Sequence, residues 1–248
     1  MELLFDFSAV PLLVLGAVFA ASILQSITGI GFGVIAGPAL LISMGSAVAI
    51  QVSIVLSFLI ALILAPNTLP RVDRNLLKDL FRGVVIGTPL GALALASLSI
   101  GALKLVAIVV VGCMTLIATG LLSRYPVFER DGKGRRLVVG GVSGILNTAL
   151  AMPGPALAAY ATAIRSTPEI VRSTTLVTFL LAYPVALVVQ AGVVGLSAEL
   201  WLAAAPLVLP TVAGTLIGIG AARFVNPLLF RLLTIGFLLA STIALALG

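Results

Sequence analysis

The chain contains no histidine and a single cysteine, Cys113, inside an apolar run. A transition-metal or haem site therefore lacks its usual ligands, and no intrachain disulfide can form. Cys113 reads as a small buried hydrophobe. Charge is also scarce: 9% of the residues are Asp, Glu, Lys or Arg, against about a quarter in a soluble domain. From Phe7 to Leu69 no charged residue occurs at all. No Asp or Glu lies deep in any apolar run, and Lys104 and Glu199 fall near the ends of theirs. The buried carboxylate or histidine on which a proton-coupled carrier normally depends is missing. With no acidic pair in a span and no GxSxG-type nucleophile, the chain does not read as an enzyme. The first ten residues, MELLFDFSAV, are acidic rather than basic and do not look like a cleaved signal peptide.

What remains is apolar. Hydrophobic residues make up 61% of the sequence and the mean hydropathy is +1.29. Charge-free runs of about 20 residues can each cross a hydrocarbon core of ~30 Å, so the reading is an all-α polytopic membrane protein with the bilayer as its first partner. The apolar runs are 11–28, 34–43, 46–65, 83–98, 103–122, 137–152, 156–164, 174–189, 201–222 and 228–247. Tyr125 and Trp201 stand near run ends, where interfacial aromatics belong. The net charge of +6 gathers mostly in short connections, 66-PNTLPRVDRNLLKDLFR-82 and 123-SRYPVFERDGKGRR-136. Loop asymmetry explains such clusters, so no nucleic acid is expected. The first connection has the pattern of a short interfacial helix.

Within the longest charge-free run stands 25-QSITGIGFGVIAGPALL-41, with Gly29, Gly31, Gly33, Gly37 and Pro38 in its middle. The same arrangement recurs: 23-ILQSITGIGFG-33 aligns with 145-ILNTALAMPGP-155 at an offset of 122 residues. Gln25 falls on Asn147, Ser26 on Thr148, and GIGFG on AMPGP. Further on, Gln51-Val52-Ser53 falls on Ser173-Thr174-Thr175. Repeat 1 covers about 7–122, the basic linker 123–136, and repeat 2 about 137–247, in one membrane transport domain over 1–248. The basic connections should face the cytoplasm. Each broken segment must then return to its starting side, which makes the repeats inverted, each a re-entrant helical hairpin plus three transmembrane helices. If each broken segment instead crosses once, the chain holds two parallel four-helix repeats with 8 spans. Arg165 and Arg172, flanking the loop 165–172, read either as topology anchors or as attractors of anions.

Irregular backbone is costly in lipid unless protein or a water-filled cavity surrounds it. Matched Gly/Pro interruptions in two halves point to a binding site at the repeat interface. A helix restarting after such a break directs backbone N–H groups and about half a positive charge at a ligand, which suits an anion. Glycine lets that ligand approach the backbone. The candidate substrate-binding residues are Gln25, Ser26, Gly29, Gly31, Phe32 and Gly33 at the first break. Asn147, Thr148, Pro153, Gly154 and Pro155 stand at the second, and Gln51, Ser53, Thr174 and Thr175 on the spans that follow. Glycine also lets helices pack closely, so each break glycine has two readings, ligand approach or packing.

The stretch 29-GIGFGVIAGPALL-41, its counterpart 141-GVSGILNTALAMPGPAL-157 and the mid-chain basic loop resemble the TauE/SafE family of sulfite exporter-like membrane proteins over nearly the whole chain. The positions that carry the resemblance are Gly29, Gly31, Gly33, Pro38, Gly154 and Pro155. Ala151 and Pro153 stand where glycines are expected, which bears on pocket size and substrate. The resemblance implies a transporter in a bacterial inner membrane that exports sulfite or small organosulfonates such as sulfoacetate. It implies no cofactor, and a homodimer is compatible with it. The other reading is a membrane-embedded assembly or sensor subunit without transport of its own.

Overall fold

The computed structural model describes residues 11–29, 31–119, 131–161, 164, 167–222, 224 and 227–247. Among these residues there are ten α-helices and no strand. They are α1 (Leu12–Thr28), α2 (Phe32–Met44), α3 (Val48–Thr68), α4 (Arg74–Ser97) and α5 (Ile100–Ala118), then α6 (Lys133–Leu150), α7 (Gly154–Ala161), α8 (Pro168–Val193), α9 (Ala198–Ala221) and α10 (Pro227–Leu247). Five segments are long and apolar enough to cross a membrane: Val48–Arg71, Arg74–Ser97, Ile100–Ile117, Glu169–Val193 and Ala198–Ala221. The molecule is a multi-pass helical membrane protein. Its exterior carries large apolar side chains such as Leu105, Val109, Leu202 and Ile217, as lipid requires. Arg165 and most of the basic linker lie outside the described residues.

Helix pairings come in matched sets. α4 packs on α6 and α9 on α1; α4 packs on α8 and α9 on α3; α5 packs on α7 and α10 on α2; and α3 lies against α8. Of the apolar window in α3, 67% is buried, against 33% in α5, which puts α3 in the interior and α5 on the rim. Two polar contacts, from neighbouring rather than equivalent positions, reach matched turns. Gln51 Nε2 donates to the Gly195 carbonyl at 2.9 Å, while Thr174 Oγ1 accepts from the Asp73 amide at 3.0 Å. Gly195 and Asp73 are themselves separated by the offset of 122 residues.

Both broken segments fold back on themselves. Pro11, Leu13 and Val14 at the start of α1 share an apolar crevice with Ile42 and Ser43 at the end of α2. Tyr160 near the end of α7 donates its hydroxyl to Asp131 just ahead of α6 and accepts from the Gly132 amide. Arg136 closes the same cluster, holding Asp131 through two guanidinium nitrogens and lying 3.6 Å from Asp79 on α4. The hydrogen bond from Arg136 keeps the Asp131 carboxyl at about 2, against the opposing effect of burial.

Glycine sets the tightest helix crossing. A methyl built on Gly83, Gly87 or Gly91 of α4 would lie 2.2, 2.0 or 2.5 Å from the carbonyl oxygens of Leu137, Gly141 and Ile145 on α6. Gly140 and Gly144 face back in the same way, toward the carbonyls of Leu80 and Val84. The matching seam between α9 and α1 uses Gly214 and Gly218. In lipid no hydrophobic force drives helices together, so backbone approach of this kind carries the association.

The structure departs from the sequence reading in four places. Residues 66–82 form no separate interfacial helix. α3 runs through Pro66 to Thr68, a 3-10 turn covers Leu69–Arg71, and α4 starts at Arg74. Asp73 caps α4 by accepting from the Asn75 and Leu76 amides, and Leu76, Leu80 and Val84 continue one buried stripe. Asp79 is therefore a buried carboxylate in a long helix, 8% exposed and ion-paired to Arg136 and Arg82. α8 begins at Pro168 instead of Thr174, because Thr167 caps it, Pro168 fits the first turn and Glu169 favours the helix dipole. Cys113 is exposed on α5, on the lipid-facing rim.

Candidate functional site

Each break is a helix end in the left-handed conformation followed by a new helix. α1 stops at Gly29 (φ 82°), whose N–H donates to the Gln25 carbonyl at 2.7 Å. α6 stops at Ala151 (φ 58°), whose N–H donates to the Asn147 carbonyl at 2.8 Å. Gln25 and Asn147 are thus matched in structure as in sequence. Glycine adopts this conformation freely, whereas an L residue pays roughly 1–2 kcal/mol. Ala151 accepts that cost in a site where it is 0% exposed.

Side chains clip both breaks shut. Gln25 Oε1 accepts from the Phe32 amide at 3.0 Å, so the first N–H of α2 is already occupied. Across the second break, Ser143 Oγ donates to the Pro153 carbonyl at 2.8 Å. Both bonds are buried. Ser143→Ala should lower stability by about 1–2 kcal/mol, read as a fall in the melting temperature of the purified protein. An unchanged melting temperature would show that the clip is dispensable.

The two breaks meet. A methyl on Gly33 would sit 1.8 Å from the Ala151 carbonyl oxygen, and one on Gly37 would sit 3.4 Å from Met152 Cε and 3.8 Å from Ser53 Oγ. Gly33 is therefore a packing glycine. Gly29 and Gly31 (φ 134°) are there for backbone conformation, and the space a Gly31 side chain would enter is open.

Around this junction lie buried polar atoms: Ser53 Oγ and Asn147 Oδ1 have no hydrogen-bond partner, and Gln25 Nε2 and Ser57 Oγ have none but the Tyr183 hydroxyl that they face. The fully buried Tyr183 directs its hydroxyl toward Ser57 and Gln25. Asn147 Nδ2 donates to the Ala182 carbonyl at 3.3 Å, next to Tyr183. Unpaired polar atoms in a dry interior cost about 1–3 kcal/mol each, which makes the junction the candidate polar site. Gln25 Nε2 donates, Asn147 Oδ1 accepts and the serine hydroxyls can do either, and no carboxylate from the described residues stands among them.

Other predicted residues have different duties. Ser26 and Thr148 bond the carbonyls of Ser22 and Gly144 one turn back in their own helices. Gln51 and Thr174 are committed to the matched turns at Gly195 and Asp73. Thr175 is buried on α8, and Pro153, Gly154 and Pro155 form the buried second break. The sequence reading passed over Ser57 and Tyr183. Ser57 was signalled by its place one turn after Ser53, and Tyr183 by being a tyrosine in mid-span directly before Pro184.

Arg172, read from the sequence as a topology anchor or an attractor of anions, reaches the first break. Its Nε donates to the Ile27 carbonyl at 3.0 Å and an Nη donates to the Ser26 carbonyl. Its stem fills the space beside Gly29.

No curated protein and no solved structure matches the chain. The family model described as Sulfite exporter TauE/SafE matches residues 14–245, a range that includes both breaks and every helix that meets them. The match, the helical membrane fold and the paired breaks agree, and the chain belongs to the sulfite exporter TauE/SafE family, which implies a membrane transporter of sulfite-type anions.

Proposed function

We propose that this protein exports sulfite or a small organosulfonate such as sulfoacetate, by alternating access around the junction of the two helix breaks. The observation that carries the reading is the contact of Gly33 with Ala151 amid the buried polar groups of Gln25, Ser53, Ser57 and Tyr183. Neutral donors and the positive end of α2 can replace the hydration of an oxyanion. Tyr183 adds a hydroxyl at the same place. The adjacent ends of each hairpin support two inverted repeats, with 66–82 and the basic linker in the cytoplasm. Rocking of one repeat against the other would open the junction to each side in turn. An outward monoanion moving across 100 mV, negative inside, gains about 2.3 kcal/mol, enough to sustain a roughly 50-fold gradient.

Proteoliposomes with the full chain should move labelled sulfite or sulfoacetate down its gradient. The decisive variant is Gln25→Glu. It keeps an oxygen for the Phe32 amide but replaces the Nε2 donor with an acceptor that repels anions. Folding should persist and flux should fall at least tenfold, the equivalent of about 1.4 kcal/mol. Flux no higher than in empty liposomes for every small oxyanion would leave the assembly-subunit reading in its place.

A further inference from the structure

We infer that Arg172 is the charge-bearing residue of the transport site and makes the first break, not the second, the one that holds the anion. The inference rests on the transport reading above and goes beyond it by giving the site its charge and its asymmetry.

A helix break is electrostatically ambiguous. The new helix presents a positive end, but the helix that has just stopped presents a negative end at the same place, each about half a charge. For an approaching anion the two nearly cancel. At the first break the negative end is α1, and Arg172 lies on it. Its guanidinium bonds the carbonyls of Ser26 and Ile27 in the last turn of that helix. A full positive charge against half a negative one leaves the break net positive, with the start of α2 adding to it.

The second break has no such correction. At the offset of 122 residues the position matching Arg172 is Ile50. Among the described residues, no basic side chain bonds the last carbonyls of α6: the Thr148 carbonyl, counterpart of that of Ser26, accepts from the neutral Gln190 Nε2 at 2.6 Å, and those of Asn147 and Leu146 accept from backbone amides. The repeats share a backbone device, and only one copy is charged.

Arg172 is not tied up by a carboxylate, although Glu169 acts on it through space. No salt bridge involves it among the described residues. Its acidic neighbour on the same helix, Glu169, is 2.6 Å from Arg71. A half-buried guanidinium held only by carbonyls keeps donors and charge for an oxyanion, which it recognises better than a lysine does. Gln25, whose buried Nε2 has no partner but the Tyr183 hydroxyl, precedes Ser26 directly. Gln25 Oε1 holds the Phe32 amide at 3.0 Å, so an oxyanion entering past Arg172 would reach Gln25 Nε2 at the start of α2. Gly29 is required here twice, for its positive φ and because a side chain would meet the Arg172 stem, 3.0 Å from the added carbon.

The test compares wild type, Arg172→Gln and Arg172→Lys as full chains in proteoliposomes, with sulfite supplied on the cytoplasmic face. Arg172→Gln should raise KM at least tenfold while the maximal rate falls less. Arg172→Lys should stay within a few-fold of wild type near neutral pH, and its KM should climb as pH rises through the lysine range while that of wild type stays flat. A residue that only capped α1 would lower the melting temperature of both variants and leave KM alone. An unchanged KM in folded Arg172→Gln overturns the inference. If that variant does not fold, a flat KM against pH in Arg172→Lys overturns it. If wild type moves no sulfite, transport is refuted separately. Heat-stabilisation by sulfite in wild type but not in Arg172→Gln then still supports the inference, and equal stabilisation of both sinks it.

Discussion

Gly33→Ala is expected to stop transport while leaving the protein inserted and helical. The added methyl would lie 1.8 Å from the Ala151 carbonyl oxygen and 2.8 Å from its carbon. Neither atom is the end of a flexible side chain. Both belong to a backbone locked by the Asn147 carbonyl and by the left-handed conformation of Ala151. The strain can be relieved only by moving the two hairpins apart. Overpacking of this kind costs about 1–3 kcal/mol or more, and 2–3 kcal/mol shifts a two-state balance by roughly 30- to 150-fold. Because the contact joins the two helix breaks at the proposed site, the shift should appear as lost flux together with a modest fall in melting temperature. Flux within twofold of wild type would mean that the junction of the breaks is not where transport is controlled.

The second large effect is of a different kind. Gly87→Leu should prevent recovery of folded protein. Its Cβ would fall 2.0 Å from the Gly141 carbonyl oxygen and 2.8 Å from the Gly141 carbon, in the middle of a seam that Gly83, Gly91, Gly140 and Gly144 hold equally close. The remainder of a leucine side chain forces α4 and α6 several ångströms apart. Little compensates, since lipid tails solvate the exposed apolar surface as well as a neighbouring helix does. The expected readout is loss of the monodisperse peak in detergent and loss of protease resistance. Gly112→Leu is the control: a Cβ there meets nothing within 4 Å, so the variant should behave as wild type. A folded Gly87→Leu would show that the seam tolerates separation and that other contacts hold the repeats.

These two variants separate roles that look the same in the sequence. The glycines of GIGFG are three of one residue type in five positions, yet Gly31 serves conformation, Gly33 serves packing and Gly29 serves both. The choice between ligand approach and packing therefore has no single answer for the motif. Gly31, with open space beside it, is the member that still fits ligand approach.

The membrane class, the apolar runs, the two breaks and the pairing of Gln25 with Asn147 were legible in the sequence. Each is a local property: hydropathy over about 20 residues, helix-breaking residues, or a repeat offset. Helix ends were less legible where polar residues belong to a helix. Thr167-Pro168-Glu169 is a helix-start signal that reads as a loop when charge alone is followed, and Asp73 caps a helix that reads as starting nine residues later. In each case the cap preceded the apolar stripe, and the hydropathy trace registers only the stripe.

Only the tertiary structure decided which polar residues remain unpaired at the junction. Ser26, Thr148, Gln51 and Thr174 look as suitable as Gln25 in the sequence, but their partners are a carbonyl one turn back or a turn in the other repeat. The place of Arg172 is the sharpest instance. It bonds a carbonyl 146 positions away in the chain, and no period or motif encodes a contact at that distance. Apolar runs follow from each residue's own transfer free energy, so the sequence by itself determined that the chain crosses the membrane and where its helices break. Whether a buried donor is satisfied depends on what the folded chain brings beside it, and that was settled only when the two hairpins met.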